Sequence, residues 1–224
     1  MNRMNVAADA EELLHRLERL PTAVISDILD GLGLRHQVMA PRVRPLDPLM
    51  RVAGFARTVT AAPTLYLPLS REEQYKLQFA AIDSLMPGEV MVVSTIENCF
   101  WGELLSVAAS RRGARGIVID GYTRDVAGIK ALGFPTFAAG IHAADALGRV
   151  DVRDFGQTIA SGGVTVAHHD LIVGDCDGVV VVPAQSSMEV IVRAEEKIDG
   201  ENLVRAKLEK GMLVGDAFRE HGIM

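Results

Sequence analysis

The stretch richest in reactive side chains runs from Asn98 to Gly133, NCFWGELLSVAASRRGARGIVIDGYTRDVAGIKALG. It opens with an apolar run that ends near Thr95, a short loop at Cys99–Gly102, and a helix pattern that starts at Glu103. The first-turn N–H groups of Glu103, Leu104 and Leu105 have no partner inside such a helix and present positive charge to an anion. Gly102 lets the backbone approach a ligand with no Cβ in the way. A second apolar run, GIVID, then delivers the loop Gly121-Tyr122-Thr123-Arg124-Asp125. A guanidinium at Arg124 suits a carboxylate or a ketone oxygen. A carboxylate beside it, Asp125, suits a hard divalent cation held partly through water. Both loops leave the carboxyl ends of consecutive strands, which is where open α/β sheets bind ligands. Together these residues describe a site for a small 2-oxo acid, although an Arg–Asp pair in a loop is more commonly a surface ion pair.

The elements that must position these groups are legible as patterns. Leu13, Leu14, Leu17 and Leu20 recur at helical spacing up to Pro21, and a second helix follows with Thr22 expected as N-cap. From Val52 onward, Gly-punctuated runs of β-branched residues alternate with helix patterns over 71–85, 103–112 and 125–132. This is a βαβαβ texture, which predicts a parallel layer with crossover helices. Residues 150–183 read as consecutive strands with glycine turns, so an antiparallel part is joined on. A long helix over 186–209 carries Val190, Ile191, Ala194, Ile198 and Leu203 as its apolar stripe. One domain over residues 1–224 is expected.

Composition narrows the functional classes. Of 224 residues, 49% are hydrophobic and 23% charged, and Lys plus Arg (23) fall short of Asp plus Glu (29), giving a net charge of −6. A mildly acidic chain with no basic cluster is a poor nucleic-acid binder. No run reaches the roughly 18–20 apolar residues that cross a bilayer, and the N-terminus lacks an apolar signal core, so a cytoplasmic protein with no membrane partner is expected. Cys99 and Cys176 form neither a disulfide framework nor a zinc spacing.

The pattern W-G-E-L-L-S-x-A-A-x-x-R-G-A-R-G-x-V-I-D-G-x-x-R-D, Trp101 to Asp125, resembles the RraA-like family. TAVISDILDGLG (22–33) and GDCDGVVVVPA (174–184) extend the likeness over most of the chain. The resemblance implies a layered β/β/α fold of the swivelling-domain, RraA-like type, with flanking N- and C-terminal helices. It further implies a homotrimer or homohexamer with sites at subunit interfaces. That family holds divalent-metal-dependent aldolases and a regulator of ribonuclease activity.

By that resemblance the backbone of Gly102, Glu103, Leu104 and Leu105 holds the substrate carboxylate, and Arg124 contacts the carboxylate and keto oxygens. Asp125 ligates the metal, Mg2+ first and Mn2+ second, while Glu103 stands where an acidic residue, often Asp, orders water on it. Arg124, Glu103 and Asp125 are thus the expected catalytic set. The implied reaction cleaves 4-hydroxy-4-methyl-2-oxoglutarate or 4-carboxy-4-hydroxy-2-oxoadipate to pyruvate plus pyruvate or oxaloacetate, in aromatic catabolism, with oxaloacetate decarboxylation through the same pyruvate enolate. A regulator that binds and inhibits a ribonuclease is the alternative from another class, and another 2-oxo-acid lyase or decarboxylase is a third. Two departures stand out: Glu103 has one methylene more than Asp, and Gly128 occupies a position where the aldolases commonly carry an acid. A glutamate crossing from a neighbouring subunit is also implied, with Glu195, Glu196 and Glu201 as candidates.

The remaining groups read as structural. The five lysines, Lys76, Lys130, Lys197, Lys207 and Lys210, fall in amphipathic helices, which argues against a Schiff-base aldolase. Ser26, Asp27 and Asp30 suit capping and turn roles. His168 and His169, adjacent on an expected strand, should point to opposite faces and be unable to share a metal. His142 follows a strand end and is expected to be structural, and Asp177-Gly178 signals a hairpin. Cys99 is expected to be a small buried apolar residue.

Overall fold

The computed structural model describes residues 3–64 and 70–223. In chain order the elements are α1 (Arg3–Leu17), α2 (Thr22–Gly31), β1 (Arg44–Pro45), β2 (Val52–Pro63), α3 (Arg71–Asp83), β3 (Glu89–Val93), β4 (Cys99–Trp101), α4 (Glu103–Arg111) and β5 (Gly116–Thr123). They continue with α5 (Val126–Leu132), β6 (Thr136–Ile141), β7 (Val150–Phe155), β8 (Ile159–Ser161), β9 (Val164–Val166), β10 (Leu171–Asp175), β11 (Gly178–Val182), α6 (Ser187–Glu209) and α7 (Val214–His221).

The expected parallel layer is present. Strands β2, β3, β5 and β6 pair in parallel in that spatial order, and the short β4 adds to the end of β5. Antiparallel β10 and β11 extend the sheet beyond β2, and β7 pairs with the far end of β2. Strand periodicity explains the layering. Met91, Val93, Ile117 and Ile119 face one side, where they pack on Ala81 and Ile82 of α3, Ala109 of α4 and Ile129 of α5. Val90, Val92 and Val118 face the other and meet Ile159, Val164 and Val166 of the β8–β9 hairpin. Hairpin, sheet and helices make a β/β/α stack. Because both faces are covered, β3 and β10 are buried at every position, which is why those runs lack polar alternation.

Helices α1, α2 and α6 cover the β10–β11 wing through Leu14, Leu17, Ile25, Leu29, Val190, Ile191 and Ala194. The predicted stripe of α6 slips at its far end. Leu203 is 53% exposed, while Val204 next to it is 5% exposed, because a 3.6-residue period has rotated the inward face by that point. The N-cap expectation also needs correction. Pro21 occupies the N-cap position and Thr22 is the first helical residue. The helix start is satisfied from outside instead, since the Thr22 N–H and hydroxyl both donate to Asp175, at 3.0 and 2.6 Å. Cys99–Trp101, expected as a loop, is the strand β4. Among the described residues no helix is long and apolar enough to cross a membrane.

Candidate active site

Three successive strand ends, of β4, β5 and β6, open on one edge of the sheet, and the first two are stitched together. Trp101 O accepts from the Arg124 N–H at 3.0 Å and from the Thr123 hydroxyl at 3.2 Å. The Trp101 indole donates to Ser106 Oγ at 2.7 Å, and that hydroxyl donates to Gly102 O at 3.0 Å, which sets the first turn of α4. Asp125 starts α5 from a left-handed conformation, φ 57°, which aspartate tolerates better than most residues. From there its carboxylate accepts from the Glu103 N–H at 3.3 Å.

Gly102 is extended, φ −159°, so backbone freedom is not what requires a glycine. A Cβ there would stand 2.5 Å from the Asp125 carboxylate oxygen. The missing side chain makes room for Asp125, where the sequence suggested room for a ligand. Gly128 does the same for Glu103, whose carboxylate lies where a Cβ on residue 128 would go. The two departures noted in the sequence are therefore one feature: the longer arm of Glu103 fills the space beside α5 that a side chain at 128 would take.

Beside these loops lies a cleft of about 350 Å³, with Gly102, Leu104, Leu105, Arg124 and Asp125 in its wall. Five of the six predicted positions line it; Glu103 is the exception and turns toward Gly128. Arg124 sits between two carboxylates, with Nε 3.8 Å from Asp125 Oδ2 and Nη2 3.5 Å from Asp145 Oδ1. Asp145 also accepts from the Tyr75 hydroxyl at 3.1 Å. Burial pushes the Asp145 carboxyl up, but the Tyr75 hydrogen bond and the Arg124 charge outweigh it and hold the group below its ordinary value. Leu104, 82% exposed, leaves the cleft mouth apolar.

Sequence reasoning missed Asp145, Tyr75, Arg71 and Gln78, which all line the cleft. Asp145 carried a signal, since it follows the third strand end of the series. The α3 residues carried none, because only the packing of that helix across the sheet brings them there. Beneath the site Asp120, 1% exposed, receives Arg42 Nε and Nη2 at 2.6 and 2.7 Å, the Thr95 hydroxyl at 2.6 Å and the Gly162 N–H at 3.1 Å. Burial raises its pKa, and these donors more than offset that, leaving it lowered. Asp120 thereby ties the loop after β3 and the β8–β9 turn to β5.

The other candidates supply no reactive group to the cleft. Burial pushes the Cys99 thiol up, so it is protonated at neutral pH and packs in the wall as expected. His142 is exposed, and its Nδ1 accepts from the Ala144 N–H at 3.3 Å. Asp27 pairs with Lys197 at 2.5 Å, Lys130 with Asp47 at 2.8 Å, and Lys207 with Glu220; among the described residues no lysine lines the cleft. Glu195 holds Arg16 through two hydrogen bonds of 2.9 and 2.7 Å, and Glu201 lies 3.6 Å from Lys197. Glu196 is exposed and makes no ion pair among the described residues. Asp175, Cys176 and Asp177 stand close together, but both Asp175 oxygens are taken by Thr22 and the Asp177 N–H, so the group is a helix cap and hairpin turn.

The histidine expectation is overturned. His168 and His169 lie in the turn between β9 and β10, where His169 is left-handed at φ 71°. The strand alternation that would separate them is broken there, and their ring centroids are 3.8 Å apart.

Residues 22–181 match the family model described as RraA-like: Aldolase/RraA. The chain belongs to the RraA-like family. A 189-residue stretch is 32% identical to a Halalkalibacterium halodurans protein named "Putative 4-hydroxy-4-methyl-2-oxoglutarate aldolase", covering 83% of each chain. A solved Pseudomonas syringae protein superposes with a TM-score of 0.80 at 29% identity, over 93% of this chain and 97% of that one. Streptomyces coelicolor RraAS2, described as an unusual member of the RNase ES inhibitor RraA protein family, superposes with a TM-score of 0.78 at 29% identity, over 88% and 98%. The layered fold is thus the RraA-like fold.

Proposed function

We propose that this RraA-like protein is a divalent-cation-dependent carbon–carbon lyase. Its substrates would be 4-hydroxy-4-methyl-2-oxoglutarate or 4-carboxy-4-hydroxy-2-oxoadipate, with oxaloacetate decarboxylation as a second activity. The observation that carries the reading is Arg124, held in the cleft wall between Asp125 and Asp145 beside the start of α4. The similarity to the Halalkalibacterium protein points the same way.

The residues fit a hard cation. Asp125 has a half-exposed carboxylate in the cleft wall. One protein carboxylate with water and substrate completing the shell is how Mg2+ is commonly held. When bound there, the cation would polarise the 2-oxo group as a Lewis acid.

The chain's own groups account for the rest. The α4 N-terminus and Arg124 take the C1 carboxylate and the keto oxygen. Carbon–carbon cleavage moves the bonding pair onto C3, and the negative charge comes to rest on the C2 oxygen. Arg124, preorganised by two carboxylates, faces that charge as it develops. In the aldol case the 4-hydroxyl loses its proton to Glu103 through water, and the departing fragment leaves as a ketone. In the oxaloacetate case CO2 departs and no hydroxyl proton is moved. Protonation of C3 then yields pyruvate in both. Asp145 and Tyr75 position Arg124.

The test is pyruvate release from each substrate with Mg2+, with a chelator, and with Asp125→Asn. Asparagine keeps the left-handed backbone and an acceptor for the Glu103 N–H while removing the charge. Release from all substrates, abolished by chelator and by the variant, is expected. Release from oxaloacetate alone would make the protein a decarboxylase. No release would move the reading to a ribonuclease-binding regulator, which the likeness to RraAS2 favours, to be read by pull-down. A single RraA-like domain assembled as a trimer or hexamer is part of the same proposal.

A further inference from the structure

The amino ends of the strands, opposite the cleft, hold a second constellation. Glu89 opens β3 and is 5% exposed. The turn between β9 and β10 brings His168 and His169 to it, so that one ligating atom from each of the three residues lies within 4.8 Å of the others. We propose that Glu89, His168 and His169 bind a transition-metal cation of the Zn2+ class, separately from the cation assigned to Asp125.

Three observations converge on a ligand set. First, His168 Nδ1 lies 2.9 Å from Ala56 O. A carbonyl accepts only, so Nδ1 carries the proton and Nε2 keeps its lone pair. Metal-binding histidines are commonly oriented by such a bond on the other ring nitrogen. Second, His169 holds a left-handed backbone, φ 71°, which costs a non-glycine residue about 1–2 kcal/mol. Its ring makes no hydrogen bond among the described residues; it lies 3.8 Å from the His168 ring, tilted by 33°, on an exposed residue. The His169 N–H also donates to Ala56 O, at 2.9 Å, so the turn accounts for both backbones, and it is the unpartnered His169 ring that a structural role leaves unexplained. Third, the Glu89 carboxylate is fixed but not used up. It accepts from the Met86 N–H at 2.8 Å, and Arg57 is only at the limit of an ion pair, 4.0 Å away. Arg57 Nη2 donates to Ser84 Oγ at 2.5 Å and the guanidinium lies 5.2 Å from the Phe155 ring centre, while its buried Nε has no hydrogen-bond partner among the described residues.

Two imidazoles and one carboxylate are the donor set of an open zinc site with room for water. Donors in a tetrahedral zinc shell stand about 3.4 Å apart, so the set must contract, and rotation of the exposed His169 ring supplies the movement. The bound ion would tie the start of β3 to the β9–β10 turn.

Zn2+ binding is measured by equilibrium dialysis on the untagged full chain carrying Cys176→Ser, so that the exposed thiol does not compete. One Zn2+ per chain is expected, with the same affinity when Asp125→Asn is added. His169→Asn, which suits a left-handed backbone, and Glu89→Gln, which keeps the acceptor for Met86, should each weaken binding by more than about tenfold. Both variants should melt like the parent without Zn2+ and lose the rise in Tm that Zn2+ gives it. Undiminished binding in His169→Asn, or none in the Asp125→Asn chain, would overturn the assignment. Failure of pyruvate release leaves it intact, since neither variant touches the cleft.

Discussion

Two carboxylates in the candidate site are positioned by the absence of side chains opposite them. Asp125 occupies the space left by Gly102, and Glu103 the space left by Gly128. Gly128→Ala should therefore act on Glu103 without touching the cleft wall. If Glu103 moves the proton, pyruvate release from the hydroxy acids falls by as much as about 10²-fold, the loss that a displacement near 1 Å can cause. Oxaloacetate decarboxylation, which moves no hydroxyl proton, should change far less. The ratio of the two activities is the readout, with Tm as a control for folding. Asp145→Asn should act differently, because it loosens Arg124 and is expected to slow both reactions together.

Helix starts and strand ends do the positioning, and their supports predict stability. Asp175 satisfies the start of α2 from a different element, so Asp175→Ala should cost about 2 kcal/mol, or roughly 4–8 °C in Tm by calorimetry. Asp120 sets an acid limit. Its folded pKa lies below the ordinary 3.8, so the stability it contributes is fully present above that value. It is lost as pH falls through the lower, folded pKa. Tm should fall below about pH 4, and Asp120→Asn should show a smaller part of that fall. The elements were legible in the sequence wherever periodicity was clean. The buried runs at 89–93 and 116–123 and the helix from Glu103 are examples, and with them came Arg124, Asp125 and the α4 N-terminus. Partners that meet only through folding were not legible. Asp175 looked like half of a hairpin turn, Tyr75 and Arg71 lay in a helix pattern that singled neither out, and His168–His169 looked like strand. In each case the deciding contact is with a residue tens of positions away, or with a backbone angle that composition does not reveal.

At the scale of the molecule, the sheet separates chemistry from support. The cleft opens at the carboxyl ends of β4, β5 and β6, and the histidine turn lies at the amino end of β3. The proposed trimer or hexamer is checked by sedimentation, where a mass of three or six chains is expected and a monomer would refute it. The pairing of Glu103 with Gly128 also constrains descent. While residue 103 carries the longer acid, a side chain at 128 would displace the Glu103 carboxylate from the space it fills. A lineage that gains an acid at 128 must also re-place or shorten residue 103. The two positions should therefore vary together among relatives, which makes the pair a marker of ancestry as well as of mechanism.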